Sequence, residues 1–133
     1  MTAPHLRRGR EGEAAAEAHL AAKGFVVMER NYHTRGGEVD LICRDGDTVV
    51  FVEVKTRAAD GLGRPDEAVT PAKRGRLVKA AAAFLSEREL WDRPCRFDVV
   101  AVVAHGDVLT ATHLSDAFGL DDVPGAGRLY QPG

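Results

Sequence analysis

Apolar and polar positions change their rhythm several times along this chain. Residues 10–23, "REGEAAAEAHLAAK", are rich in helix formers and stop at Gly24, a natural helix terminator. The next stretch, "FVVMERNY", predicts a strand, and "HTRGG" a loop. Residues 38–44 and 48–56 predict two strands joined through "DGD" as a hairpin. Residues 58–69 are polar with Gly and Pro and predict a loop, either a flap or a plain connection. Thr70 is a good N-cap and Pro71 suits the first turn, so a helix is expected from there to about Glu89, with Leu77, Val78, Ala81, Phe84 and Leu85 as its apolar stripe. "CRFDVVAVV" predicts a strand, His105-Gly106-Asp107 a turn, and "VLTATHL" a last strand. From Leu120 the chain turns to Gly, Pro and Asp, as expected of a mobile tail over 120–133. The order α-β-β-β-α-β-β over residues 1–119 predicts one α/β domain, a mixed sheet flanked by helices.

Four charges break this pattern where it is most β-like, in "GEVDLICRDGDTVVFVEVKTR". "TVVFVEV" is apolar on both sides of its pleat, as a central strand would be, so Glu53 and Lys55 are costly there unless paired or functional. By strand alternation Glu38 and Asp40 share one face, and Glu53 and Lys55 share one face of the next strand. An even turn, Asp45-Gly46 or Gly46-Asp47, puts Asp40 and Glu53 on the same side. With Gly46-Asp47 they oppose directly, as do Glu38 and Lys55, whereas an odd turn separates them. Two buried carboxylates in contact drive one toward protonation, and a divalent cation between them removes the repulsion. Oxygen ligands point to Mg²⁺ or Mn²⁺. Lys55 can then orient an attacking water or offset charge on a phosphate. The bland alternative is a solvated strand face with ordinary Glu–Lys pairs.

Composition narrows the choice of class. The 133 residues, 44% hydrophobic and 29% charged, fit a soluble globular chain, and the net charge near −2 means that any nucleic-acid surface must be local. Cys43 and Cys95 form no C-x-x-C pair and are expected as buried reduced thiols. The five histidines lack metal-ligand spacing. No apolar run suits a membrane span and no hydrophobic signal core follows the basic N-terminus, so no membrane partner and a cytoplasmic location are expected.

The paired G-E-x-D and F-V-E-V-K-T-R segments, with "GEAAAEAHLAAKGF", "ERNY", "TPAKRGRL" and "RFDVVAV", resemble the YraN-like family of small bacterial proteins over residues 9–119. That family is similar to the PD-(D/E)-x-K nuclease superfamily, near the Holliday-junction resolvases. The resemblance implies a restriction-endonuclease-like domain and a metal-dependent endonuclease acting on DNA rather than RNA, including branched or structured DNA. It implies Asp40 and Glu53 as metal ligands, with the carbonyl of Val54 and with Glu13 of the first helix, and Lys55 as the catalytic lysine. Lys73 stands where the superfamily more often has glutamine, and "EVD" replaces the literal "PD". Glu17, one turn after Glu13, reads better as solvated.

Basic residues cluster as Arg7, Arg8 and Arg10, and as Lys73, Arg74, Arg76 and Lys79, while Arg35 and Arg57 flank the acidic segment. Arg57 and Lys73 are the stronger nucleic-acid contacts, with Arg35 and Arg74 beside them. Arg76 and Lys79, taken singly, read as a wet helix face. Few aromatics interleave with these charges, which favours backbone or shape recognition. A junction cutter needs two sites, so a homodimer follows from that reading. Two alternatives stand beside the enzyme: a nucleic-acid-binding adaptor that keeps the fold without cutting, and a partner-binding scaffold whose charges form a salt-bridge network.

Overall fold

The computed structural model describes residues 4–59 and 70–118, with side chains from Gly9 onward in the first helix. The expected 58–69 loop, the 120–133 tail and the side chains of Arg7 and Arg8 fall wholly or largely outside these residues. The order is α1 (Pro4–Ala22), β1 (Val26–Thr34), β2 (Gly37–Asp45), β3 (Thr48–Ala58), α2 (Pro71–Glu87), β4 (Cys95–His105) and β5 (Val108–Phe118). This is the α-β-β-β-α-β-β sequence of an α/β fold.

The strands form a single five-stranded sheet in the order β1-β2-β3-β4-β5. Only β3 and β4 run parallel, and α2 makes the crossover between them. The sheet is therefore mixed. Its three antiparallel connections are tight. Thr34 pairs with Gly37, Asp45 with Thr48 and His105 with Val108, each across a two-residue turn. Gly46 and Gly106 carry the left-handed backbone in two of them, at φ 61° and 64°. The "HTRGG" segment is thus mostly strand, and only Arg35 and Gly36 turn.

Local signals explain both helix ends that matter. Gly24, at φ 93°, stops α1; its N–H donates to Ala21 O at 3.0 Å and the Phe25 N–H to Leu20 O at 3.1 Å. Those two bonds make a Schellman ending, and Leu20 and Phe25 complete it by packing in one cluster. At the start of α2, the Thr70 hydroxyl accepts from the Lys73 N–H at 3.3 Å, with Pro71 next.

The two helices cover opposite faces of the sheet. On one, Ala16 and Leu20 of α1 pack on Leu41, Cys43, Val50, Val52, Val100 and Val102. On the other, Leu77, Val78, Ala81, Phe84 and Leu85 of α2 pack on Ile42, Val49, Phe51, Phe97 and Val99. β3 is buried from both sides, with Val49, Val50, Phe51 and Val52 each at most 2% exposed. Burying one such side chain is worth about 1.5–3 kcal/mol, so this strand anchors the sheet. Cys43 is buried, but Cys95, at the start of β4, is exposed rather than buried: as the first residue of the strand it lies beyond the cover of either helix.

Candidate functional site at the β2–β3 fork

The hairpin pairs from Asp45↔Thr48 up to Leu41↔Val52, the register set by a Gly46-Asp47 turn. There the β2–β3 ladder ends. β2 continues against β1, through Val39↔Tyr32 and Glu38↔His33, while β3 continues against β4, through Glu53↔Val99 and Lys55↔Ala101. The two strands part at the level of Asp40 and Glu53. A gap between strands leaves main-chain groups without ladder partners. The Val54 N–H fills its need from a side chain, donating to Asp40 Oδ2 at 2.8 Å.

Asp40 reaches that position through a break in alternation. Val39 and Ile42 both pack in the α2-side cluster, which strict alternation forbids for residues three apart. Directly across on β1, the ladder omits the Asn31–Asp40 pair, and Asn31 has a left-handed backbone at φ 49°. Glu38 and Asp40 act on each other and both raise Glu13 of α1, while Val39 between them packs toward α2. Glu38 pairs across with His33 at 3.1 Å, and the ladder stops before it can set Glu38 opposite Lys55.

Asp40 and Glu53 hydrogen-bond one another. Burial raises the Asp40 carboxyl above its ordinary range, against the opposing pull of the Val54 N–H. Burial, and then the charge of Asp40, push Glu53 up to about 7. Both shifts run the same way, as expected when like charges meet away from water and a proton between them is favoured. Lys55 Nζ lies 3.8 Å from Glu53 Oε1, and both side chains are largely covered, at 23% and 16% exposure.

Glu13 joins from α1. Gly12 makes this approach possible, because a Cβ there would collide with the Thr56 hydroxyl of β3. Burial raises the Glu13 carboxyl, the charge of Asp40 raises it further, and a hydrogen bond from Asn31 holds it down. Glu17 takes another role: Arg30 grips it through Nε at 2.6 Å and Nη2 at 3.0 Å. Lys73, from the first turn of α2, lies against Lys55, which pulls its ammonium below the usual lysine range, and it feels the charge of Glu53. Arg57 follows Lys55 on the same side of β3, opposite Val103. Arg35 is exposed in the β1–β2 turn. Arg74 lies apart, its guanidinium 5.0 Å above the Phe118 ring.

The carboxylates and the Val54 carbonyl offer only oxygen, which suits a hard cation. Among the described residues no group of three or more His, Cys, Asp or Glu side chains converges as a ready-made cage. A half-buried pair of carboxyls in contact still fits Mg²⁺ or Mn²⁺, since such ions are held by one or two carboxylates and keep several waters. Two carboxyls in contact away from water are short of positive charge, which a cation would supply.

Sequence reasoning missed a carboxylate more deeply covered than Asp40 or Glu53. Asp98 is 1% exposed, the one buried charged residue among those described. It accepts from Arg96 Nε at 3.0 Å, bonds His113 Nε2 at 2.6 Å and accepts from the Asp116 N–H at 2.9 Å. The signal was a lone Asp in the apolar "RFDVVAV", but its partner His113 is distant in sequence.

No helix among the described residues is long and apolar enough to cross a membrane. The model of the uncharacterised protein family UPF0102 matches residues 12–102. A UPF0102 protein of Nitratidesulfovibrio vulgaris (strain DP4) is 49% identical over 125 residues, covering 93% of each chain. Those of Geotalea uraniireducens (strain Rf4) and Moorella thermoacetica (strain ATCC 39073 / JCM 9320) are 44% identical over 113 residues and 49% over 102. The first covers 84% of this chain and 89% of the relative, the second 77% and 85%. The matched segment contains Glu13, Asp40, Glu53 and Lys55 together. The chain belongs to the uncharacterised protein family UPF0102, which is related to the PD-(D/E)-x-K nuclease superfamily.

Proposed function

We propose that the chain is a Mg²⁺- or Mn²⁺-dependent endodeoxyribonuclease, with branched or otherwise structured DNA as its substrate. The observation that carries this reading is the contact of Asp40 with Glu53 in a strand fork, with the Val54 N–H on Asp40 Oδ2 at 2.8 Å and Lys55 Nζ 3.8 Å from Glu53 Oε1. A merely structural salt bridge has no use for two like charges in contact. Asp40, Glu53 and the Val54 carbonyl would hold the cation, with Glu13 beside them. The bound ion would supply Lewis acidity and lower the pKa of a water. Lys55 orients the attacking water and offsets charge on the phosphate. Arg57 and Lys73 hold neighbouring phosphates, with Arg35 at the margin. Arg74, on the Phe118 flank, is the weakest of the four proposed nucleic-acid contacts. Two such sites in a homodimer would cut both strands of a junction.

The direct experiment is cleavage of labelled junction, flap and linear DNA with Mg²⁺ or Mn²⁺, comparing the parent with Asp40→Ala and Lys55→Ala. Lys55→Ala is expected to lose on the order of 10²–10³-fold in rate, and Asp40→Ala at least as much. Cleavage that survives both substitutions contradicts the site. A second reading, an adaptor that binds nucleic acid without cutting, draws on the lack of a preassembled three-ligand group among the described residues. Metal binding without cleavage of any substrate would favour it.

A further inference from the structure

The basic residues of α2 divide between two flanks. Arg74 leans toward β5 over Phe118. Lys73, Arg76 and Lys79 wind along the opposite flank, over the β1–β2 turn. A Cβ on Gly36 would meet the Lys79 side chain, and one on Gly37 would run into the main chain of Arg76. Arg35 is exposed in that same turn, and Arg76 and Lys79 are exposed beside it. At the other end Lys73 lies against Lys55 in the fork. Positive side chains therefore run without interruption from the turn to the lysine of the fork.

Among the described residues, only Glu53 offsets the fork end of this strip, acting on Lys55 and Lys73. α2 has no Asp or Glu from Pro71 to Ser86. Carboxylates near the flank are engaged elsewhere: Glu29 with Arg88 at 2.9 Å, Glu38 with His33 at 3.1 Å, and Glu87 with the Tyr32 hydroxyl at 2.7 Å. Among the described residues no ion pair engages Arg35, Arg76 or Lys79. Like charges this close repel, so the strip opposes folding on its own and favours a polyanion along it. The chain's overall charge is near −2, which makes a positive strip of this length a local feature rather than a general one.

We propose, building on the nuclease reading above, that duplex DNA reaches the fork along this flank. The phosphates of one strand cross Arg35, Lys79 and Arg76 before the scissile phosphate meets Lys73 and Lys55. From Lys73 to Lys79 the helix rises about 9 Å, while phosphates of one strand advance about 3.4 Å each along the duplex axis. The helical part of the strip thus spans two or three phosphates. These contacts go to the backbone, so they set position and affinity rather than sequence preference.

The test is fluorescence anisotropy with a labelled 20-base-pair DNA duplex in chelator, at several salt concentrations. The variants are Arg76→Ala with Lys79→Ala, Arg76→Glu, Arg35→Ala, and a control that removes Arg88 and Arg93. The strip double variant is expected to weaken binding roughly tenfold and to flatten the salt slope by about one unit per removed charge. The control is expected to stay within about twofold of the parent. Far-ultraviolet circular dichroism checks that each variant is folded. Unchanged binding in the strip variants, an equal loss in the control, no binding by the parent, or tighter binding of a matched RNA duplex would each overturn the proposal. Binding in chelator requires no cleavage. A parent that binds along the strip yet never cuts overturns the enzyme reading alone, and a parent that cuts while strip variants bind normally overturns the strip alone.

Discussion

Two acidic centres are withdrawn from water in this sheet, buried Asp98 on β4 and the half-buried pair at the β2–β3 fork, and they solve the same problem in opposite ways. Asp98 is ringed by donors. Arg96, His113 and the Asp116 N–H satisfy it, and Lys23 Nζ, 2.9 Å from His113 Nδ1, backs the ring. A lysine ammonium only donates, so Nδ1 accepts and the N–H at Nε2 faces Asp98. The cluster holds β5 through its bulge, where Asp116 turns left-handed at φ 53° and the register with β4 shifts. Asp40 and Glu53 face each other instead, and burial and their mutual repulsion push Glu53 up to about 7 despite Lys55 and Lys73. Burial alone does not mark a functional carboxylate; burial without enough counter-charge does.

Breaking the first centre should have the largest effect. Asp98→Ala leaves Arg96 and His113 facing a buried void, and a loss of about 3–5 kcal/mol is expected, read from urea denaturation. Asp40→Ala should not cost the same. If both substitutions destabilise equally, the contrast fails.

Next in size is an effect of opposite sign. Glu53 keeps its proton in the folded chain up to about pH 7 and loses it near its ordinary value of 4.5 when unfolded. The folded state is therefore favoured at low pH, and that advantage is lost as pH rises from 4.5 through 7. Glu53→Gln cannot ionise and escapes the loss. Without metal it should be more stable than the parent at pH 8, by on the order of 2 kcal/mol, with the difference fading toward pH 4.5. Differential scanning calorimetry across that range gives the sign.

The smallest effect sharpens how the fork is set. Asn31→Gly relieves the left-handed backbone but removes the hydrogen bond to Glu13. Stability should change by less than about 1 kcal/mol. The Glu13 carboxyl should titrate higher than in the parent, followed by carbon NMR of its side chain. An unchanged Glu13 titration would separate Asn31 from the site.

Much of this was legible in the sequence because it rests on local rules. Gly24 ends α1, Thr70-Pro71 opens α2, and the Gly46-Asp47 turn fixes the parity that brings Asp40 to Glu53. The apolar faces of "TVVFVEV" place β3 mid-sheet. Other features depend on contacts far apart in the chain. The broken alternation at Asp40 needs Asn31 across the ladder, and the bulge that carries β5 on to Phe118 needs Asp98. The flank that turns Arg76 and Lys79 toward Arg35, and Arg74 away, is fixed by Gly36, Gly37 and Phe118. No window along the sequence displays such pairings.

The central claim is that the Asp40–Glu53 pair lacks positive charge that a divalent cation supplies. Thermal unfolding at pH 8 with increasing Mn²⁺ tests it, for the parent and for Asp40→Asn. The parent's midpoint should climb with Mn²⁺ by several degrees, as mass action requires of a ligand bound only by the folded state, and the climb should vanish in Asp40→Asn. A parent that ignores Mn²⁺, or a variant that climbs with it equally, would contradict the account.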